Sequence, residues 1–585
     1  MILQELVNYY ERMAKLEDSN IAPIGLEWKE ISFAIVIDKE GRFLDIDDLR
    51  TEGKKPRGRA CLVPQGETRT VGVKAQLLWD NIGYVFGFNK TNERRGTKQF
   101  AAFCLRIEEL IESGCEEPDF IAVNSFLKNI DLNRIKQHRL WEVLTENKGN
   151  ISFRLMGKSE LVCETAAAHA AATAQSTEPD SENIVCLITG QESPLARTHP
   201  LVKGIFGAQP AGASIVSFNQ SSFTSFSKRQ GGNAPVGTYG ATAYTTALNS
   251  LLARESRQKL WYGETSVVFW ADKQNEFEGL LFDLFNEPPK DDPAANTESV
   301  KALYHAPNTG VAPFEDDDSR FFVLGLGPNA GRVSIRFWHV STVSEMATKI
   351  RLYFDDLDII APAWAQKPLT LIRLLQATAL RGERKNIEPS LPASMLKAIL
   401  DGTPFPTTIA LAVTRRIRAE AGGKSSPVTY ERAAILKAYI NRISRLNGGT
   451  ENEMTIELDE SNSSVGYCLG RLFAVLEKIQ SEALNDVNAP IRDRYYAAAS
   501  ATPVTCFPLL MRMKNHHLSK LTNKGRVVNL EKLISEIVSH ISEFPAHLNL
   551  SDQGRFAIGY YHQRQNFFNK SDSQHKEVDE KNDSN

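Results

Sequence analysis

The stretch SKRQGGNAPVG contains glycines that could cradle a phosphate group. Gly232 and Gly237 stand five residues apart, and Thr238 follows, which resembles the spacing of a nucleotide-binding P-loop. Such a loop needs a lysine after the second glycine and a buried strand before the first, and the sequence has neither. The stretch therefore predicts either a turn that caps the next helix or a loop that contacts a nucleic-acid backbone through Lys228, Arg229 and its amides.

Side chains that could hold a metal or act as nucleophiles lack the spacing that either chemistry needs. The adjacent His516 and His517 would point about 100° apart on a helix, so they cannot easily share one ion. Asp355, Asp356 and Asp358 form either a carboxylate cluster or an acidic turn after a helix, and the turn fits better. No G-x-S-x-G elbow is present in the sequence. We therefore predict no catalytic residue, no metal and no cofactor.

Clusters of basic residues are the stronger signal, because the whole chain has a net charge of -3. Phosphate groups attract such clusters in proteins that bind nucleic acids. The first cluster is a loop with glycine and proline, followed by polar and basic residues that could contact the same ligand: Lys54, Lys55, Arg57, Arg59, Gln65, Arg69, Lys74 and Gln76. A second basic loop, NKTNERRGTK, spans residues 89–98.

The third cluster lies towards the C-terminal end, where residues 492–526 carry only one acidic residue, Asp493. The basic residues of this segment are Arg492, Arg494, Arg512, Lys514, Lys520, Lys524 and Arg526. Tyr495, Tyr496 and Phe507 are interleaved with them, and aromatic rings among cations are typical of surfaces that bind single strands. The segment is either a solvated face or a strand-binding surface.

Length and composition limit the class of protein. A chain of 585 residues is too long for one hydrophobic core, and 42% apolar and 24% charged residues are ordinary for globular domains. Seven cysteines without a C-x-x-C pair predict reduced thiols. The start MILQELVNYYERMAK has charges where a signal peptide needs an apolar core, and no long apolar run occurs, so we expect a cytoplasmic location.

Hydrophobic periodicity predicts an α+β fold, in which a mixed α/β N-terminal region with hairpins precedes an all-α C-terminal helical bundle. Alternating apolar residues predict hairpins over 31–46 and 321–338. Apolar residues at three- and four-residue steps predict helices over 430–446 and 462–482. The predicted regions are 1–163 (mixed α/β), 164–183 (a linker-like loop), 184–365 (a second mixed region), 366–570 (the helical bundle) and 571–585 (a disordered tail).

Several long strings resemble the large subunit of the type I-C CRISPR surveillance complex (Cascade), the Cas-eight-c or Csd-one family. They include MILQELVNYYERM, RTVGVKAQLLWDN, HPLVKGIFGAQPAGASIVSFNQSSFTSF and GGNAPVGTYGATAYTTALN. Further along the chain, FFVLGLGPNAGRVSIRFW, IRDRYYAAASATP and FPAHLNLSDQGRFAIGYYHQR match as well. The resemblance covers nearly the whole chain. The chain departs from the family at GTYG after NAPV, where a serine-rich helix start is usual, and in the Ala/Thr stretch at 165–175.

This resemblance implies a non-catalytic subunit of a bacterial, cytoplasmic ribonucleoprotein in antiviral defence. The family recognises a protospacer-adjacent motif (PAM, TTC in type I-C), helps to unwind the duplex and stabilises the R-loop. The implied partners are CRISPR RNA, target double-stranded DNA, the Cas-five and Cas-seven backbone subunits, a small subunit made from the same gene, and a recruited helicase-nuclease. Two alternatives remain: a nucleic-acid-processing enzyme such as a nuclease with an unrecognised site, and a scaffold that binds no nucleic acid.

The resemblance also suggests roles for the basic clusters. We expect the residues of the 54–76 cluster to bind the duplex and its motif. We expect the same of a second surface, formed by Asn219, Gln220, Lys228, Arg229, Gln230 and Asn233. The cations of residues 492–526 are expected to bind the displaced non-target strand. Met454 stands just before the helix predicted near residue 462, and we predict that internal translation of the small subunit starts there.

Overall fold

The computed structural model describes most of the chain. The described residues are 2–16, 21–53, 56–66, 72–146, 149–175, 182–286, 314, 316–365, 368–423, 425–449, 453–484 and 490–582. In the last helix the side chains are described as far as Phe568, and the side chain of Gln175 is not described.

The first sheet is built around a long strand, β1 (Leu26–Ile37), whose second half is almost wholly apolar and buried. The first half of β1 pairs antiparallel with β3 (Arg59–Pro64), and the second half pairs antiparallel with β2 (Phe43–Asp48). Strand β5 (Asn150–Leu155) pairs parallel with β1, and β4 (Trp79–Asn81) pairs antiparallel with β5. The strand order is β2-β1-β5-β4, and the pairing of β1 with β2 confirms the predicted N-terminal hairpin.

Helices and two short strands complete the N-terminal part of the chain. The helices are α1 (Ile2–Met13), α2 (Ile82–Val85), α3 (Glu93–Glu112), α4 (Pro118–Lys128), α5 (Leu132–Lys136), α6 (Trp141–Glu146), α7 (Ala166–Gln175) and α8 (Thr238–Leu251). The strands β6 (Asn183–Val185) and β7 (Glu192–Pro194) form a separate antiparallel pair. Helix α8 packs against α1, and the Tyr239 hydroxyl is 3.1 Å from the Glu11 carboxylate.

The second sheet has four strands in the order β11-β10-β9-β8. They are β8 (Lys259–Tyr262), β9 (Thr265–Ala271), β10 (Arg320–Asn329) and β11 (Arg332–Thr342). Strands β10 and β11 confirm the hairpin predicted from alternating residues. Phe269 on β9 stacks against Phe321 on β10, and both rings belong to a core that continues into the helices.

The helices after β8 and β9 dominate the rest of the chain. They are α9 (Phe277–Phe285), α10 (Val343–Leu357), α11 (Leu371–Thr378), α12 (Leu391–Asp401), α13 (Thr407–Ala419), α14 (Tyr430–Leu446), α15 (Val465–Ala483), α16 (Ile491–Ala499), α17 (Pro503–Leu518), α18 (Lys524–Ser539) and α19 (Leu550–Asn582). Helix α15 packs tightly on α19, where Gly470 lies against the backbone of Phe556. The α+β fold class is therefore confirmed.

The chain divides into two units, each with its own core. The first unit comprises Met1–Gly204, Ala208–Arg254 and Asn329–Val333. The second unit comprises Ile205–Gly207, Glu255–Pro328 and Ser334–Asn585. Aromatic packing of Phe103 and Phe126 on Phe153 lies in the first core, and the helical seams that periodicity predicted lie in the second.

This division differs from the boundaries that the sequence predicted at 163 and 365. Residues 184–204 and 208–254 join the first unit, in which α8 packs on α1. Residues 334–365 join the second unit, because α10 packs on α12 and α14. Contacts between elements far apart in sequence thus decide which core they share.

Two segments predicted to be irregular are helical. The linker-like loop predicted over 164–183 is wrong for 166–175, which form α7, with Ala168, Ala171 and Ala172 buried. Alanine has the highest helix propensity, and its small side chain lets a helix pack closely. Residues 571–582, predicted to be disordered, continue α19, since extending a helix is easier than nucleating one. None of the described helices is long and apolar enough to cross a bilayer.

Candidate nucleic-acid interface

The first candidate loop, residues 51–59, leads into β3 and is closed by its own hydrogen bonds. The amide of Thr51 donates to the carbonyl oxygen of Arg57 (2.8 Å), and the amide of Arg57 donates to the Thr51 hydroxyl (3.2 Å). The Arg57 side chain is exposed to solvent. The Arg59 guanidinium instead forms an ion pair with Glu164, so part of its charge is neutralised within the protein. Arg57 is therefore better placed than Arg59 to contact a phosphate.

The second candidate loop, residues 65–76, is fixed at both ends by polar groups. The amide of Gly66 donates to the Glu27 carboxylate (3.0 Å), and the amide of Gln76 donates to the Asp80 carboxylate (3.0 Å). The Gln76 side chain is buried at the base of this loop, close to Gly66. The prediction that Gln76 contacts a base edge is therefore corrected, because this side chain is shielded from solvent in the described structure.

The remaining predicted residues of these two loops are either at least partly exposed or outside the described residues. Lys74 is exposed, and Gln65 is half-buried. Lys54, Lys55 and Arg69 lie outside the described residues. Their contacts with DNA therefore stay predictions, as do those of Gln65 and Lys74.

The third candidate surface, residues 219–233, is an irregular loop that we call the aromatic loop. The Asn233 side chain organises it: Nδ2 donates to the carbonyl oxygens of Lys228 (3.1 Å) and Gln230 (3.0 Å), and Oδ1 accepts from the Ser225 amide (2.8 Å). Three of the four hydrogen bonds that an asparagine amide can make are thus used inside the loop. Asn233 therefore shapes the loop, and because its side chain is only half-buried, its direct contact with DNA stays a prediction.

The aromatic loop presents an apolar ring to solvent among polar and basic side chains. Phe226 is 94% exposed, and Lys228 and Arg229 beside it are exposed too. Phe226, Ser227 and Gln230 all have positive φ angles, which residues with a side chain rarely adopt. Such backbone strain concentrates at functional sites. Sequence reasoning singled out Lys228 and Arg229 but missed Phe226, although a phenylalanine within a glycine- and serine-rich loop was a signal.

The start of the aromatic loop is held by a cation. The Arg332 guanidinium donates to Oδ1 of Asn219 (2.9 Å) and lies 4.5 Å from the ring centroid of Phe223. Asn219 is therefore also engaged within the protein, while Gln220 next to it is exposed. Arg332 is a functional candidate that sequence reasoning missed, because it begins strand β11, more than a hundred residues away in sequence.

The end of the aromatic loop leads into α8. A turn that caps this helix is one of the two structures that the sequence predicted here. Gly237 is the residue before the first turn of α8, and its position against Ser193 leaves no room for a side chain. Within α8, the Tyr244 hydroxyl is 2.7 Å from Nδ1 of His199. Burial lowers the pKa of His199 to about 4, so this imidazole is neutral at physiological pH. Helix α8, which follows the loop, is thus bound to His199 by a hydrogen bond between two neutral side chains.

The fourth candidate surface, the 492–526 segment, is less basic in space than in sequence. Arg492 is buried, and its guanidinium donates to the carbonyl oxygens of Ala421 (2.9 Å) and Gly423 (2.6 Å). It also lies 3.5 Å from the Glu477 carboxylate. The prediction that Arg492 binds the non-target strand is therefore corrected, because its donors are occupied within the core.

Two further cations of the 492–526 segment have carboxylate partners on other helices. Arg526 on α18 forms two hydrogen bonds with Glu482 on α15 (3.0 and 2.7 Å), and the Arg526 side chain holds the pKa of that carboxyl below its usual value. Lys514 is 3.8 Å from Glu531, and its side chain is largely buried. These two residues are weaker candidates for strand binding than their exposed neighbours.

Within the described structure, four cations of the 492–526 segment have exposed, unpaired charges, as binding to a DNA strand requires. Arg494, Arg512, Lys520 and Lys524 are exposed and have no ion-pair partner among the residues that the structure describes. Of the rings that the sequence placed beside them, Tyr496 and Phe507 are buried in the helical core, and Tyr495 is partly buried against it. Stacking of bases on Tyr496 and Phe507 is therefore excluded in this conformation, and the four cations remain suited to contact phosphates.

The predicted internal start, Met454, is buried and bound to the preceding helix. The amide of Met454 donates to Oδ1 of Asn441 on α14 (2.7 Å), and its carbonyl oxygen accepts from Nδ2 of the same residue (3.0 Å). Five helices, α15 to α19, follow it in the described part of the chain. Whether translation starts at Met454 stays a prediction.

Acidic side chains that might have formed a metal site serve structural roles. Asp356 lies in the last turn of α10, is almost fully buried, and pairs with Arg442 (2.6 Å) and Arg445. The sequence predicted an acidic turn after a helix, but Asp355 and Asp356 lie inside the last turn of α10, and only Asp358 follows the helix, as its C-cap. Within the described ranges, no group of three histidine, cysteine or acidic side chains is arranged to hold a metal ion.

A surface depression of about 540 Å³ in the second unit is lined by side chains of both charges. Arg373 pairs with Glu431 (3.1 Å), and Arg432 pairs with Glu420 (2.6 Å). Arg381 is the third arginine that lines the depression. Because most of its charges are already paired, the depression offers little attraction to a charged ligand.

Comparison with known proteins gives one match that spans these surfaces. The family model described as CRISPR-associated protein (Cas_Csd1) matches residues 6–568. No functionally curated protein gives a significant match. The matched range includes the 51–59 and 65–76 loops, the aromatic loop and the 492–526 segment.

Proposed function

This chain belongs to the Csd1 family of CRISPR-associated proteins, and on this premise we propose that it is the large, non-catalytic subunit of a type I-C surveillance complex. In this role it recognises the protospacer-adjacent motif of target DNA, helps to open the duplex and stabilises the R-loop. The guide RNA then reads the remaining sequence by base pairing, so the protein needs to read only the short motif.

The observation that carries this proposal is the aromatic loop. Its exposed ring, Phe226, stands beside two exposed cations, Lys228 and Arg229, on a backbone that Asn233 holds in shape. An exposed phenylalanine is unfavourable in water, but it is useful where a protein must part stacked bases. Apolar wedges inserted between base steps unstack and kink a duplex. Lys228 and Arg229 would then hold the flanking phosphates.

The exposed polar residues of both N-terminal surfaces would complete the contact with DNA. Gln220 and Gln230 at the aromatic loop can offer both a donor and an acceptor to a base edge. Arg57 and Lys74 would hold the backbone of the duplex without reading its sequence. These assignments replace the direct contact first expected of Gln76.

The second unit would serve the later steps. Arg494, Arg512, Lys520 and Lys524 suit the displaced non-target strand through its phosphates. The CRISPR RNA and the Cas-five and Cas-seven subunits form the rest of the complex in this proposal. A small subunit starting at Met454 would repeat the α15–α19 bundle, and a separate helicase-nuclease would dock after the R-loop forms.

Replacement of Phe226 tests the proposal in the complete complex. Phe226→Ala should reduce opening of a motif-bearing duplex by about 10- to 100-fold, because an aromatic stack on a base contributes about 1–3 kcal/mol. The measurement is fluorescence of a base analogue placed next to the motif, at DNA concentrations that saturate binding. Phe226→Trp keeps a stacking ring and should restore opening.

A matched control separates this effect from general loss of an exposed ring. Phe206 is also exposed but lies outside the aromatic loop, so Phe206→Ala should leave opening unchanged. If Phe226→Ala opens the duplex as fast as the unmodified complex, the aromatic loop does not part the strands and the proposal loses its support. Equal losses in both variants would point to instability instead and would also count against it.

A further inference from the structure

A second group of exposed cations lies at the start of helix α3, in a loop that the proposed function does not use. The loop and the first turns of α3 carry four basic side chains, all exposed, which we call the amino-terminal patch: Lys90, Arg94, Arg95 and Lys98. None of the four has an ion-pair or hydrogen-bond partner for its charged group among the residues that the structure describes. The one acidic residue among them is Glu93.

The backbone under the amino-terminal patch is held in one conformation. Oδ1 of Asn89 accepts hydrogen bonds from the amides of Thr91 and Asn92 (3.1 Å each), and Oδ1 of Asn92 caps α3 by accepting from the Arg95 amide (3.0 Å). Gly96 lies against the carbonyl oxygen of Gly87, where a side chain would overlap with the backbone. The cations therefore project from a fixed platform rather than from a loose loop.

The placement of these charges is unfavourable for the protein alone. Arg94 and Lys98 are four residues apart on one face of α3, and like charges at this spacing repel. The N-terminal end of a helix carries a partial positive charge, which disfavours cations there. Apart from Glu93 and Arg106, α3 has its cations in the first two turns and its carboxylates, such as Glu108 and Glu112, towards the end. This distribution is opposite to the one that stabilises a helix.

The side chains around the amino-terminal patch point to a phosphate-rich partner. The exposed residues between Lys90 and Lys98 are polar or charged, and no large apolar side chain is exposed there. Protein partners bury an apolar centre within a polar rim, which this surface lacks. Four cations over about two helical turns instead fit several neighbouring phosphates, because the helix rises by about 6 Å over four residues. Polyanion binding would remove the repulsion that the free protein retains.

We propose that the amino-terminal patch binds the phosphodiester backbone of a nucleic acid without reading its sequence. The proposal rests on the proposed function only for the identity of the nucleic acid, which is target DNA or CRISPR RNA. It assigns to Lys90, Arg94, Arg95 and Lys98 a positional role, in which they hold the strand while the aromatic loop acts on the motif.

The test replaces all four cations by glutamine in the complete complex. Each phosphate contact contributes about 0.9 to the slope of log K against log salt for duplex DNA, and about 0.7 for a single strand. If the patch contacts DNA, the slope should fall by about 3–4, and affinity should fall equally for duplexes with and without the motif. If the patch contacts CRISPR RNA, the RNA should dissociate from the complex at lower salt, with the corresponding smaller change in slope.

The control variant removes four exposed cations of the same unit that lie outside this patch: Lys15→Gln, Lys39→Gln, Arg42→Gln and Lys136→Gln. It changes net charge equally and should alter the slope much less. Unchanged affinity, salt slope and RNA retention in the patch variant would overturn the proposal. Loss of a protein subunit with normal nucleic-acid affinity would overturn it as well, because it would indicate an acidic protein partner.

The affinity measurements distinguish a failure of the amino-terminal patch proposal from a failure of the proposed function. Failure of motif recognition changes the ratio of affinities for the two duplexes, whereas failure of the amino-terminal patch lowers both affinities together. Thermal unfolding of the patch variant guards against misfolding. Since the substitutions remove repulsion from α3, the transition temperature should stay the same or rise, and a fall in it would be a sign of damage to the fold.

Discussion

The 492–526 segment and the amino-terminal patch are both rich in arginine and lysine, yet their cations have different surroundings. In the 492–526 segment, Arg492, Lys514 and Arg526 each form an ion pair with a carboxylate side chain. In the amino-terminal patch, the four cations have no such partner in the described part of the chain. The longer cluster is therefore partly structural, whereas the shorter one keeps a larger share of its charge available for a ligand.

The comparison teaches that the charge of a sequence window says little about the charge of a surface. Glu477, Glu482 and Glu531 lie outside residues 492–526 and neutralise cations within it. A basic residue supports a binding site when its charge is exposed and unpaired, which only the three-dimensional arrangement reveals. Three changes test this distinction, and they are expected to affect stability by decreasing amounts.

The largest effect is expected at Arg492. Arg492→Ala should destabilise the second unit by about 3 kcal/mol, because it leaves the carbonyl groups of Ala421 and Gly423 without their buried donor and removes a cation from beside Glu477. Arg494→Ala, two residues away, removes an exposed cation and should change stability by less than about 0.5 kcal/mol. Scanning calorimetry of the two variants measures the difference. Equal stabilities would mean that Arg492 is no more structural than its neighbour.

A smaller effect is expected at the ion pair between Arg526 and Glu482. The hydrogen bonds from Arg526 lower the pKa of Glu482, so this pair stabilises the folded state above about pH 4.5 and the contribution is lost as the pH falls below that value. Arg526→Gln should therefore cost at most about 1 kcal/mol at neutral pH and almost nothing at about pH 3. Unfolding transitions recorded across this range provide the measurement.

The control for this pH dependence is Glu543→Gln, which removes an exposed carboxylate that no side chain pairs with in the described structure. Its stability relative to the unmodified protein should vary little over the same range. A variant at Arg526 whose destabilisation is the same at both ends of the range would show that the ion pair does not contribute through the charge of Glu482.

The smallest effect is expected in the amino-terminal patch, and it has the opposite sign. Arg94→Gln should stabilise the free protein by about 0.3 kcal/mol, since it removes a cation from the start of α3 and its repulsion with Lys98. Glutamine and arginine have similar helix propensities, so the change reports mainly on charge. Calorimetry without nucleic acid at low salt gives the value. A clear loss of stability would mean that Arg94 has a structural partner.

Local patterns predicted much of the fold. The periodicity over 430–446 predicted α14 with its observed ends, and alternation predicted the hairpin of β10 and β11. These predictions succeeded because a helical stripe or a strand face is encoded by residues that are neighbours in sequence. The division into two units was not predictable in this way, because it depends on contacts such as that of α8 with α1.

The candidate site was less predictable than the fold, for the same physical reason. The sequence identified the aromatic loop as basic and polar, but not that Asn233 bonds within it or that Phe226 is its most exposed side chain. Nor did it indicate that Arg492 reaches carbonyl groups about seventy residues away. Residue type shows what a side chain can do, whereas burial and partners decide whether it does so.

The burial of Met454 has a consequence for chemical reactivity. In the full-length chain its thioether is shielded from solvent, and Asn441 holds its backbone, so peroxide would oxidise it slowly. A product that began at Met454 would lack Asn441 and all of α14, and the same methionine would then be an exposed chain end. One sulfur atom would thus distinguish the two products of a single gene, because its oxidation rate would report which helix precedes it.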